Sequence, residues 1–153
     1  MMNNKNNEII SSKFFKVFRK LSKINSMTRN YGTNELLYEA EVRVIKAVKE
    51  NEGIHVTALA EMLEVTKGAV SHSLVQLKKK GMIVKQPDST NQSRLLLKLT
   101  EKGEIAYSNH EKLHEKINNV IESILADESS DFESCLSDFL SKLDKVFTDF
   151  IKE

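Results

Sequence analysis

Residues Val56 to Gly81, VTALAEMLEVTKGAVSHSLVQLKKKG, constrain the rest of the chain more than any other stretch. They read as two short helices meeting at a tight turn. In the first, Thr57 can cap the N-terminus, and Leu59, Ala60 and Leu63 fall at helical spacing. Glu64 and Val65 make the turn, and Thr66 offers a cap hydroxyl to the second helix. There Val70, Leu74 and Leu77 form an i, i+4, i+7 stripe able to pack on the first helix. Small residues Ala60, Gly68 and Ala69 allow close approach, and Gly81 ends the helix. The opposite face carries Lys67, Ser71, His72, Gln76 and Lys78, all able to donate hydrogen bonds.

This is the pattern of a helix-turn-helix, whose second helix enters the major groove of DNA. An ordinary helical hairpin with a polar outer face would look much the same. Charge separates the two. Residues 66–100 carry seven Lys or Arg against one acid, a balance of +6, and no acid stands between Val65 and Pro87. Residues 1–65 balance at +2 and residues 101–153 at −7, so a net charge of +1 hides a basic centre and an acidic end. A basic block on the second helix and its sequel is the footprint of a phosphate-facing surface.

After Gly81 the periodicity becomes extended. Residues 82–86 and 94–99 read as strands around the turn-rich segment 87–93, a hairpin placed as a wing beside the second helix. Asn91, Gln92, Ser93 and Arg94 are suited to phosphate and groove contacts. Upstream, after an asparagine-rich start expected to be disordered, a helix is expected from Glu8 to about Met27. Its stripe is Ile10, Phe14, Val17, Leu21 and Ile24. A second helix is expected from Asn34 to Glu50, burying Leu36, Leu37, Ala40, Val44, Ile45 and Val48. His55, in the short connection that follows, reads as structural. Thr100 caps a long helix to about Leu125, and a last helix spans about Asp131 to Ile151. The last helix has a wide aromatic stripe through Phe132, Phe139, Phe147 and Phe150. With the first helix, that is more apolar surface than a small winged domain can cover, so a homodimer is expected.

The order of these elements resembles the MarR family of bacterial winged-helix transcription regulators, over about residues 8–150. The resemblance is carried by LAEMLEVTKGAVSHSLVQLKKKGMI (59–83) and LLLKLTEKGEIAY (95–107). It implies a mainly α fold with a small β-hairpin wing, as one domain over 1–153. Within it, 34–100 would be the winged helix-turn-helix, and 1–30 and 101–153 would supply dimerisation helices. It implies a cytoplasmic, ligand-responsive repressor that binds a pseudo-palindromic double-stranded operator. Thr66, Lys67, Ser71, His72, Gln76 and Lys78 would face the major groove, and Asn91 and Arg94 would lie at the wing. The family's wing usually carries an acid, one residue and an arginine. Here Asn91, Gln92 and Ser93 stand in those places, so Arg94 is displaced by one.

No cofactor is expected. His110 and His114, i and i+4 on the long helix, could hold zinc between two imidazoles. Zinc-responsive members of the family use such a pair together with a histidine after a glutamate in the second helix and an N-terminal cysteine. Here Val42 follows Glu41, and the only cysteine is Cys135. Cys135 reads as a small buried hydrophobe in the last helix's stripe, fitting a reducing compartment. No glycine-rich phosphate loop, nucleophile elbow or paired-cysteine motif points to an enzyme. No apolar run approaches the roughly 20 residues of a membrane span, and no secretion signal is visible.

Overall fold

The computed structural model describes residues 2–87 and 95–152, with residues 2–4 and 95 described by their backbone alone. The elements are α1 (Met2–Ser26), α2 (Glu39–Glu50), α3 (Val56–Met62), α4 (Lys67–Lys79), β1 (Ile83–Pro87), β2 (Leu95–Leu99), α5 (Glu101–Leu125) and α6 (Ser130–Lys152). The fold is mainly helical with one antiparallel hairpin, in the register Ile83 to Leu99 and Lys85 to Leu97. By its contacts the chain divides into residues 1–111 and residues 112–153.

The core of residues 1–111 follows from the apolar stripes of α2, α3 and α4. Ile45 and Val48 from α2, Leu59 from α3, and Val70, Leu74 and Leu77 from α4 are all at most 1% exposed. Met82, Ile83 and Leu97 close the core from the hairpin side, and Ala106 from α5. Ile54 extends the hairpin, its carbonyl accepting the Leu97 N–H at 3.3 Å. Burying a side chain such as Leu74 stabilises the fold by about 1.5–3 kcal/mol.

The two helices of the helix-turn-helix end in the same hydrogen-bonded turn. After α3, Glu64 N–H donates to the Glu61 carbonyl and Val65 N–H to that of Ala60. After α4, Gly81 N–H donates to Lys78 and Met82 N–H to Leu77. Both are Schellman turns, which need a left-handed residue just past the helix. Gly81 takes that conformation freely at φ +71°, whereas Glu64 holds it at φ +53°. Thr100 then joins α4 to α5: its hydroxyl donates to the Gly81 carbonyl at 2.6 Å and accepts the Gly103 N–H at 3.1 Å. Gly103 is required there, because a Cβ would overlap the carbonyl oxygen of Met82.

Several expectations are corrected. α2 begins at Glu39, not Asn34, because residues 29–38 instead form a turn closed by a backbone bridge between Arg29 and Leu37. Leu37 is buried through that bridge, while Leu36 is 61% exposed and Ala40 is also exposed. α3 starts at Val56 behind His55, so Thr57 lies inside the helix and is not its cap. α1 extends back to Met2 through the asparagine-rich segment expected to be disordered.

In residues 112–153 the chain folds as the second half of α5, a turn at 126–128, and α6. Ser129 Oγ accepts the Phe132 N–H at 3.2 Å and so caps α6. No residue of α6 is buried, and Phe132, Phe139, Phe147 and Phe150 are 40–65% exposed. Cys135, expected to be buried, is exposed together with the phenylalanines of that stripe. α1 is likewise open to solvent along Ile9, Ile10, Phe15, Val17, Phe18 and Leu21. No helix among the described residues is long and apolar enough to cross a membrane.

Candidate nucleic-acid interface

The interface is built on α4, and its geometry follows from the sequence on either side of it. Thr66 caps the helix by accepting the Ala69 N–H on its hydroxyl at 3.2 Å. Three buried anchors, Val70, Leu74 and Leu77, fix the helix's rotation about its axis. Everything opposite them is thereby turned outward. Thr66, Lys67, Ser71, His72 and Lys78 are exposed, and Gln76 is half-buried. Arg43 of α2 supports the turn before α4, its guanidinium donating to the Leu63 carbonyl at 3.2 Å.

Three exposed residues add to this face or flank it. Val75, 50% exposed, stands among the polar residues of α4, where an apolar side chain suits the methyl group of thymine. Lys85 on β1 and Lys98 on β2 are exposed on the hairpin. The signal for Val75 was its place outside the i, i+4, i+7 stripe. The two strand lysines were countable in the basic block. Asn91 and Arg94 of the expected wing tip lie outside the described residues, as do Gln92 and Ser93. One described member of the basic block is turned inward: the Lys80 ammonium lies 2.7 Å from Glu41.

The histidine pair lies on α5. His110 packs edge-on against Tyr31, with ring centroids 5.6 Å apart, and its Nδ1 lies 3.2 Å from Glu111 Oε1. Glu111 in turn accepts from Lys46 of α2 at 2.8 Å, and Lys49 donates to Glu104 at 2.9 Å. The hydrogen bond from Lys46, against the opposing cost of partial burial, holds the Glu111 carboxyl below its usual 4.5. Bonds to Glu111 and then Glu50 push the Lys46 ammonium above its ordinary 10.5, and the bond to Glu104 does the same for Lys49. Among the described residues, no three His, Cys, Asp or Glu side chains cluster as metal ligands.

Comparison with known proteins joins this geometry to a family. Residues 39–94 match the sequence profile of the MarR family. The HTH-type transcriptional regulator FarR of Neisseria gonorrhoeae is 30% identical over 107 residues, covering 68% of this chain and 69% of FarR. The chain belongs to the MarR family. A second relative, the uncharacterized HTH-type transcriptional regulator YhjH of Bacillus subtilis, is 31% identical over 86 residues. That match covers 56% of this MarR-family chain, which spans about half, 49%, of YhjH. The crystal structure of Streptococcus pneumoniae FabT in complex with DNA superposes with a TM-score of 0.75 at 21% identity, covering 94% of this chain and 98% of FabT. The zinc-responsive MarR member ZitR of Lactococcus lactis superposes at 0.73 with 19% identity, covering 93% and 98%. At such identities these two likenesses show the winged-helix fold. The family is one of DNA-binding transcriptional regulators and not of enzymes.

Proposed function

We propose that this MarR-family chain is a ligand-responsive repressor that acts in the cytoplasm as a homodimer on a pseudo-palindromic operator. The observation that carries the reading is α4, anchored by three buried residues and presenting Lys67, Ser71, His72 and Val75 outward. Each copy places α4 in one major groove, so the half-sites lie about 34–36 Å apart, one helical turn. Thr66, Lys67, Ser71, His72, Gln76 and Lys78 contact bases and phosphates, and Asn91 and Arg94 extend the contact from the wing. The aromatic stripe of α6 and the apolar side of α1 join the two copies. A small-molecule effector acts by favouring a spacing of the two α4 helices that no longer matches successive grooves.

A zinc-responsive version of this reading rests on the i, i+4 spacing of His110 and His114 and on the likeness to ZitR. Two imidazoles supply half of a tetrahedral site. Glu41 is a poor further ligand, since its carboxylate already accepts from Lys80 and from the Tyr38 N–H. Zinc would therefore have to draw its other ligands from elsewhere.

The test is binding of the purified protein to DNA from its own upstream region and to duplexes selected from a random pool, with and without zinc. The proposal expects one dimer per selected site and two symmetric half-sites. A selected site bound by a single copy, or no preference among sequences, contradicts it. Affinity that requires zinc and is lost in His110→Ala would favour the metal version.

A further inference from the structure

Three lysines in a row close α4, and they do not behave alike. Lys78 and Lys79 are exposed, whereas the Lys80 side chain is 17% exposed. Its ammonium lies 2.7 Å from both carboxylate oxygens of Glu41 and 2.7 Å from the Leu36 carbonyl. It also stands 5.1 Å from the centre of the Tyr38 ring. An ammonium has three hydrogens, and three oxygens receive them here. Glu41 is only 4% exposed, the one buried charged residue among those described. Its Oε2 also accepts the Tyr38 N–H at 2.8 Å, closing the first turn of α2.

This contact continues to α1. Leu37, beside Leu36, exchanges two backbone bonds with Arg29, at 3.2 and 2.9 Å. The Arg29 guanidinium donates to the Ile24 carbonyl at 2.7 Å and the Met27 carbonyl at 3.2 Å, at the end of α1. A bonded path thus runs from the last turn of α1, through the connector 29–38, to Lys80, the residue that caps the C-terminal end of α4. Buried ion pairs of this kind contribute little net stability, because desolvation offsets their attraction, and in some proteins their role is to fix one geometry.

We infer that Lys80 and Glu41 are a positioning pair, which holds the C-terminal end of α4 at a set place relative to α1, and that Lys80 is not a phosphate contact. The inference rests on the proposed reading that α4 binds DNA and α1 helps join two copies. Through it the pair sets how well two α4 helices match two half-sites.

The test compares Glu41→Gln, Glu41→Gln with Lys80→Met, and Lys78→Ala in the full-length protein. Glu41→Gln keeps the side chain's shape and an oxygen for the Tyr38 N–H, and the double variant leaves no unpaired buried charge. Each is titrated with salt on a duplex selected by the wild type from a random pool and on an unselected duplex of equal length. Lys78→Ala should weaken both duplexes alike and lower the salt slope by about 0.9 per copy engaged. The two Glu41 variants should lose about tenfold or more on the selected duplex alone, with the salt slope unchanged. Binding of the selected duplex at wild-type strength overturns the inference. So does a slope lowered in the double variant but not in Glu41→Gln, which makes Lys80 a phosphate contact. Equal weakening on both duplexes assigns the pair to stability alone and overturns it too. A wild type that selects no duplex removes the DNA reading itself, and the inference falls with it.

Discussion

α4 and α6 are both amphipathic helices, and α6 carries the wider and more aromatic stripe. Yet Val70, Leu74 and Leu77 of α4 are at most 1% exposed, while the phenylalanines of α6 are 40–65% exposed. The strength of an apolar stripe says that it needs covering, not what covers it. α4 is covered because α2, α3 and the hairpin, its near neighbours in sequence, bring matching stripes to the same core. No equivalent set exists for α6 in residues 112–153. The outward surface of α4 is consequently polar and basic, and that of α6 is apolar. One suits a polyanion and the other a second copy of the chain.

The largest expected effect comes from α6. Replacing Phe139 and Phe147 by glutamate should weaken self-association by roughly four orders of magnitude or more, given about 1.5–3 kcal/mol per buried phenylalanine and two such residues in each copy. Sedimentation of the double variant measures this, with helix content retained. A dimer of undiminished strength would place the contact between copies elsewhere.

Within α4 the contrast between faces can be tested at adjacent positions. Leu74→Ala should cost about 2–5 kcal/mol in denaturant unfolding. Val75→Ala, one residue on and half-exposed, should stay within about 0.5 kcal/mol while weakening DNA binding. Similar costs at both sites would break the assignment of inner and outer faces.

The paired Schellman turns predict opposite signs. Glu64→Gly should stabilise by roughly 0.5–1 kcal/mol, since glycine takes a positive φ without strain. Gly81→Ala should destabilise by about 1 kcal/mol or somewhat more. Thermal midpoints of the two variants moving in the same direction would refute the shared geometry.

The smallest effect concerns the half-buried pair Lys46 and Glu111. Glu111 is held below its usual 4.5, so its contribution is present above that pH and is lost as pH falls through the lower folded value. Lys46 is raised above 10.5, so its contribution is present below that pH and lost only as pH rises past it. Lys46→Ala should therefore cost under about 1 kcal/mol between those limits. The gap from wild type should close on acidification below 4.5. A gap that widens in acid would mean that the pair does not act as drawn.

Much of this architecture was legible in the residues. The stripes of α3 and α4, the Thr66 and Thr100 caps and the Gly81 stop are local features with local causes, and each stands where periodicity placed it. The connector 29–38 was not legible as such, because Leu36 and Leu37 continue the apolar spacing of α2 and only the backbone bridge to Arg29, outside that spacing, takes them out of the helix. Lys80 was hidden for the same reason. Three consecutive lysines look equivalent until Glu41, 39 positions away, claims one of them. Cys135 differs because an apolar stripe is not by itself a buried one, and the phenylalanines beside it are exposed along with it.

The most direct test of the central claim, that α4 faces DNA, is the salt dependence of duplex binding in Lys67→Ala beside the wild type. Lys67 is exposed at the first turn of α4 and is the first basic residue of the helix. The account predicts weaker binding with a slope shallower by about 0.9 per copy engaged, as one phosphate contact is lost. An unchanged slope and affinity, with the dimer intact, would contradict it.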